Sequence, residues 1–253
     1  MLSREESPQN PHESFIKVRS HGGFIENVTL QGQKIWTAVM RGDGKEGATH
    51  ICVPNFGRRD KPMGLSHHGP WREMDLKELS AEEGRSSILE GEINEGEYTN
   101  VHCIQTTTVI DDTFTLTIDL TNESQSERPA NLGVHGYFDT ENGWEGTKIN
   151  GREITAGMLD GRTNKPGTVI LDLKINNTIQ IPGKKPLVLE VDGFKKAVVW
   201  VYQKLNGDQP PTFDQNYICI EPIEDIPESF GRPESQIPPG GSRTVTMSLK
   251  IAE

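Results

Sequence analysis

The chain has no apolar stretch approaching the roughly 20 residues of a membrane-spanning helix, which excludes that class of membrane protein. It has little cysteine. Cys52, Cys103 and Cys219 are odd in number, far apart and not at metal-binding spacing, so they read as reduced, half-buried residues. Positive charge is in deficit, with 26 Lys and Arg against 37 Asp and Glu and a net charge of −11. That balance argues against nucleic acid and anionic membrane as partners, because both need a basic face. The first residues, "MLSREESPQNPHES", carry no apolar stretch of the secretory kind. A cytoplasmic location is therefore expected, and the glycosylation-like patterns at Asn27, Asn122 and Asn176 are read as chance. No nucleophile elbow, phosphate-cradling glycine loop, dinucleotide fingerprint or zinc motif is present. The chemistry left open is proton transfer by His and Glu, with no metal and no cofactor.

What is present is strand after strand. In "TTTVIDDTFTLTIDLTN", Phe114, Leu116, Ile118 and Leu120 alternate with Thr113, Thr115, Thr117 and Asp119, the period of two of a half-buried strand. Asp111-Asp112 and Gln31-Gly32 read as hairpin turns. "KPLVLEV", "KAVVWVYQKL", "NYICIEP" and "SRTVTMSLKI" follow, punctuated by 26 Gly and 16 Pro. Only "KELSAEEGRSS" hints at a turn or two of helix, and "GDQPPTFDQ" reads as a loop. No strand–helix alternation, internal repeat or linker divides the 253 residues. The expectation is one all-β domain over 1–253, built as a sandwich or barrel of antiparallel strands.

Three stretches carry candidate chemistry. "VPNFGRRDKPMGLSHHGPWREMD" gathers Arg58, Arg59, His67, His68, Trp71 and Arg72 in one long loop. Such a cluster suits a polar or anionic small molecule and also suits a solvated loop. His67-His68 does not read as a metal pair. In "NLGVHGYFDT", Leu132, Val134 and Phe138 fall on one strand face, and His135, Tyr137 and Asp139 on the other. In "NYICIEP", Ile218 and Ile220 share one face while Cys219 and Glu221 share the other, and Pro222 holds Glu221 extended. A carboxylate there suits a site, although glutamate statistics favour a solvated rim. No role is assigned to the remaining histidines.

In this order the stretches resemble the aldose 1-epimerases, or galactose-mutarotase-like proteins, most of all the hexose-6-phosphate mutarotase branch. "PNFGRR" and "HGPWR" match a Pro-x-Phe-Gly element followed by a His-Gly-x-x-Arg motif. "HGYF" at His135 to Phe138 is similar to His-Pro-Tyr-Phe, "AVVWVYQ" to a Val-Val-Trp strand, and "CIEP" at Cys219 to Pro222 to Cys-x-Glu-Pro. "IPPGGSRTVTMSLKI" resembles the closing turn and last strand. The likeness runs from about Pro54 to the end. It implies a large antiparallel β-sandwich with a sugar bound on one concave sheet. It also implies His135 as general acid on the ring oxygen and Glu221 as general base on the anomeric hydroxyl. His68 would orient the sugar and Arg72 would hold hydroxyls or a phosphate.

Phe56, Trp71 or Trp200 would stack on the sugar, Trp200 being equally suited to a core. Arg58 and Arg59 are further substrate-binding candidates, and convergence of Arg59 and Arg72 with a lysine such as Lys61 would favour a phosphorylated sugar. The pattern is departed from at Gly136, where proline is usual, which should loosen the backbone beside His135. A sugar-orienting aspartate motif is missing from "LDLKINNTIQIP". There Asn177 or Asn176 is the nearest stand-in, with Asp172 less suited. The implied function is mutarotation of a hexose or hexose 6-phosphate by a monomer or homodimer. The alternatives are a non-catalytic carbohydrate-binding or sensing module on the same fold, and an enzyme of another class acting on a sugar acid.

Overall fold

The computed structural model describes residues 13–57, 64–96, 98–163, 167–207 and 209–253. Two large antiparallel sheets face each other. One runs in the order Phe15–Val18, Ile25–Leu30, Gln33–Thr37, Gly133–Asp139, Tyr217–Ile223, Lys196–Trp200 and Val169–Asp172. The short strand His50–Cys52 also pairs with Gly133–Asp139. The other sheet runs Arg152–Glu153, Lys148–Ile149, Asn176–Gln180, Leu187–Asp192, Ser242–Ile251, Thr113–Asn122, Tyr98–Ile110, Ser86–Glu95 and Lys77–Glu82. This is the expected all-β antiparallel sandwich. No helix among the described residues is long and apolar enough to cross a membrane.

Local chemistry explains the pairing. Gln31 (φ +49°) and Gly32 (φ +76°) are both left-handed, as are Asp111 (φ +47°) and Asp112 (φ +59°). Two-residue turns of that hand match strand twist and close both expected hairpins. On Thr113–Asn122 the burial alternates along the whole strand, with Phe114, Leu116, Ile118 and Leu120 inward. They meet Trp36, Phe138, Ile218 and Ile220 from the facing sheet in one continuous core. Trp36 sits edge-on to Phe114 and Phe138, at 4.9 and 5.7 Å.

Two expectations fail. "KELSAEEGRSS" is not helical. It forms Lys77–Glu82, an edge strand exposed at every residue, and the start of Ser86–Glu95. Charged residues on an edge strand block pairing with other chains, and they also erase the apolar alternation that marks a strand. "GDQPPTFDQ" contains the strand Gln209–Phe213, which pairs with Gln203–Asn206. Its prolines are accommodated in a two-stranded hairpin, where one side needs no ladder donor.

Candidate active site

The outer face of the first sheet carries the site. Strand register fixes it row by row. His50 pairs with His135, and Val198 with Glu221. Gly136 pairs with Ile220 and Gly133 with Ile223, which sets His135 opposite Glu221. One row across four strands therefore reads His50, His135, Glu221, Val198. The next row reads Tyr137, Cys219, Trp200. Side chains two residues apart share a face, so both rows project together, away from the core-facing Val134, Phe138, Ile218 and Ile220. No ladder pair forms between Val134–His135 and Glu221–Pro222. Pro222 has no N–H to give there.

The rows are closely packed. The His135 ring stacks on His50 at 5.0 Å and on Tyr137 at 4.9 Å, and Trp200 stands edge-on to it at 5.9 Å. His135 Nε2 lies 3.6 Å from Glu221 Oε2, near but outside hydrogen-bond length. Glu221 is only 3% exposed and His135 only 7%. Glu221 is thus inside a strand that continues to Ile223, not on a solvated rim.

His68 arrives from the loop. It is left-handed at φ +63°, and Gly69 follows at +75°. A side chain at Gly69 would sit 1.9 Å from the Val53 carbonyl oxygen, so only glycine fits after this histidine. A non-glycine residue held left-handed is a form of strain found often at functional sites. His68 Nδ1 accepts the Gly57 N–H at 3.2 Å and lies 3.3 Å from Cys52 Sγ. The proton of neutral His68 is therefore on Nε2, which can donate. Phe56 stands edge-on behind the His68 ring at 5.1 Å.

A pocket of about 240 Å³ opens beside these rows, lined by Arg41, Arg72, His50, Tyr137, Phe24 and Glu46, among others. The Arg41 guanidinium lies over Trp200 at 5.1 Å and pairs with Asp43 at 2.8 Å. Burial dominates the titration behaviour. It pushes the Glu221 carboxyl well above the usual carboxylate range. It pushes His135 and His68 well below the usual imidazole range, helped by neighbouring histidines and arginines. His50 is pushed down to about 4, chiefly by burial. The resting site is an uncharged floor beside a pocket whose charged lining residues are Arg41, Arg72, Glu46 and Glu73. His135, Cys219 and Glu221 place their nitrogen, sulfur and oxygen atoms within 4.8 Å of one another. That donor set suits a zinc-like cation, but the thiol and carboxyl are both held protonated by burial.

Of the residues expected from sequence, His68, His135 and Glu221 meet on this face, and Arg72 lines the pocket. Arg58, Arg59 and Lys61 lie outside the described residues. Trp71 is a correction. It is fully buried, donates its indole N–H to Gln105 at 3.0 Å, and packs over Gly91. It belongs to the core and offers no face for stacking. Asn177 is a second correction. It lies on the other sheet, where its amide clamps the Lys174 backbone at 2.9 and 2.7 Å and accepts from Asn150 at 2.8 Å. Asn176 is on that same strand, and Asp172 is ion-paired with Lys196 at an exposed edge. Gly136 does not loosen its strand. A Cβ there would be 2.9 Å from the Ile220 carbonyl oxygen, so glycine lets the two strands approach. Sequence reasoning missed His50, Arg41 and Tyr137 as site members. The alternation had placed Tyr137 on the His135 face, but nothing local marks His50 or Arg41.

The fold is shared with solved structures. A galactose mutarotase-like protein from Lactobacillus casei superposes with a TM-score of 0.73 at 14% identity, covering 95% of this chain and 98% of that one. A candidate aldose 1-epimerase from Escherichia coli K12 gives 0.71 at 19% identity, over 95% and 96%. The galactose mutarotase related enzyme from Lactobacillus acidophilus gives 0.69 at 15%, over 95% and 96%. No family model matches the chain, and no curated protein matches it.

Proposed function

We propose that this galactose mutarotase-like β-sandwich is an aldose 1-epimerase that interconverts the α and β anomers of a hexose or hexose 6-phosphate. The observation that carries the reading is the pair His135 and Glu221, set opposite each other on adjacent strands 3.6 Å apart. Burial drives their proton affinities in opposite directions. Two groups whose environments split their protonation states are the pair that acid–base catalysis needs.

The pair holds one proton. With Glu221 protonated and His135 neutral, His135 removes the proton from the anomeric O1 hydroxyl. The C1–O5 bond breaks as Glu221 protonates the ring oxygen, and the open aldehyde forms. C1–C2 rotation presents the other carbonyl face. On closure the ring hydroxyl returns its proton to Glu221 and O1 takes one from His135, so the enzyme ends as it began. The resemblance implies the opposite assignment, with His135 as acid and Glu221 as base. The two differ by one proton moved across 3.6 Å, and the resting site favours Glu221 as the acid. Each positioned group contributes typically 10²–10⁴-fold. His68 Nε2–H and the Arg41 and Arg72 guanidiniums supply donors for substrate oxygens. Trp200, half-buried on this face, supplies an aromatic surface.

A non-catalytic sugar-binding module is the second reading. It is favoured by Asn177 lying on the other sheet, which leaves the site without that hydroxyl ligand. Saturation transfer between the α and β anomers of glucose, galactose and glucose 6-phosphate separates the two, with Glu221→Gln as control. Exchange above buffer that disappears in the variant is expected. Sugar binding without exchange would establish the second reading instead.

A further inference from the structure

His50 belongs to none of the motifs that suggest a mutarotase, yet it sits in the same row as His135. Its two ring nitrogens have different fates. Nδ1 is 2.9 Å from the Ala48 carbonyl oxygen. A carbonyl only accepts, so Nδ1 carries the proton and Nε2 is a bare acceptor. That Nε2 is buried and has no hydrogen-bond partner among the described residues. Buried polar atoms without partners are uncommon, and each calls for a reason. The ring is packed against two others, stacked on His135 at 5.0 Å and tilted against Phe24 at 5.4 Å. It also lines the pocket with Arg41, Arg72 and Tyr137. The nitrogen is thus fixed in place, of known tautomer and unspent.

His68 offers the reverse. Its Nδ1 is occupied by the Gly57 N–H, so its Nε2 donates. The two rings, with centroids 5.9 Å apart, give the site one imidazole acceptor and one imidazole donor. A sugar hydroxyl both donates and accepts, and only a donor satisfies His50.

Resting on the mutarotase reading of this site, we infer that His50 Nε2 is a specificity-determining subsite that accepts a hydrogen bond from one hydroxyl of the bound sugar. A substrate lacking that hydroxyl leaves the acceptor buried and unpaired, so it should bind at least about 10-fold more weakly. The other hydroxyl deletions should matter less at this residue.

The test uses equilibrium binding as well as anomer exchange. Dissociation constants are measured for the tightest-binding of glucose, galactose and glucose 6-phosphate, and for its monodeoxy analogues, with wild type and two variants. His50→Asn keeps an amide N–H near the position of Nδ1, and with it the bond to Ala48, but has no acceptor at Nε2. His50→Gln places its carbonyl oxygen near Nε2 and gives up the bond to Ala48. The subsite predicts that Asn loses the discrimination against one deoxy sugar and Gln restores it to within about threefold. A purely structural His50 predicts the reverse, with Asn like wild type. Unchanged discrimination in Asn, or no deoxy sugar singled out by wild type, overturns the inference while exchange activity stands. Discrimination that depends on His50 in a protein without anomer exchange supports the subsite and overturns the enzyme reading alone. Binding of no sugar overturns both.

Discussion

The buried imidazoles make stability depend on pH in a window set by His50. Its folded-state pKa is depressed from the ordinary 6.5 to about 4, chiefly by burial. Below pH 6.5 the unfolded chain takes up a proton on this residue and the folded chain does not, so unfolding binds protons and stability falls. The loss begins as pH drops past 6.5 and is complete once it passes about 4. Each unit is worth 1.36 kcal/mol, so the interval corresponds to about 3 kcal/mol from this one residue. For a domain stabilised by about 5–15 kcal/mol that is a large share. The assay is urea unfolding at half-unit steps from pH 7.5 to 4, on wild type and His50→Phe. The variant's stability at pH 7 is not the readout, because lost packing also contributes there. The readout is the difference in slope. The wild-type curve should lose about 3 kcal/mol more than the variant across the window. Parallel curves would mean that His50 protonates normally in the folded chain, and with that the burial account of its lowered proton affinity would go.

Glu221→Gln should abolish anomer exchange and change stability in the opposite pH direction. The Glu221 pKa is raised, so its contribution is full below the ordinary 4.5 and is lost as pH rises through the folded value. Glutamine does not titrate, and the variant should gain on wild type by about 1.4 kcal/mol per unit above pH 4.5 until the buried carboxyl ionises. A constant gap in melting across that range would refute the burial account. Arg72→Ala should weaken sugar binding with little change in stability, because its one ion pair among the described residues, with Glu73 at 3.7 Å, is partly exposed. Calorimetric titration and a thermal melt check this, and unchanged affinity with a large stability loss would make Arg72 structural. Gly136→Ala should push apart the strands that carry His135 and Glu221, since the new methyl meets the Ile220 carbonyl at 2.9 Å. A cost of about 1–3 kcal/mol and slower exchange are expected. Wild-type exchange rates in this variant would show that strand spacing does not govern the pair.

The sandwich was legible in the sequence where strands are buried on one face only. Thr113–Asn122 alternates apolar and polar residues because one side meets the core and the other meets water. The same rule hid the site. Every residue of Tyr217–Ile223 is buried, so Glu221 looked like a rim carboxylate rather than a covered one. Lys77–Glu82 is exposed throughout, and without an apolar stripe its charges read as helix. Trp71 was misplaced because its neighbour in the motif, Arg72, lines the pocket, while a single 3₁₀ turn, Trp71–Glu73, sends the indole inward and Arg72 outward. His50 was invisible for a different reason. Its significance comes entirely from being opposite His135, and register between distant strands is not written in either strand alone.

The rows across the first sheet also order events in time. Residues 50, 135, 221 and 198 come together only after two long stretches of chain and one shorter one have been closed. The strands Lys77–Glu82, Ser86–Glu95, Tyr98–Ile110 and Thr113–Asn122 need only successive hairpins. Hairpins close in microseconds, while distant pairings carry the loop-closure entropy that slows folding. The second sheet therefore has a template of its own early, and the surface bearing His135 and Glu221 is completed late. Recovery of the proposed sugar binding after dilution from denaturant becomes a clock for the last step of assembly rather than for the first collapse.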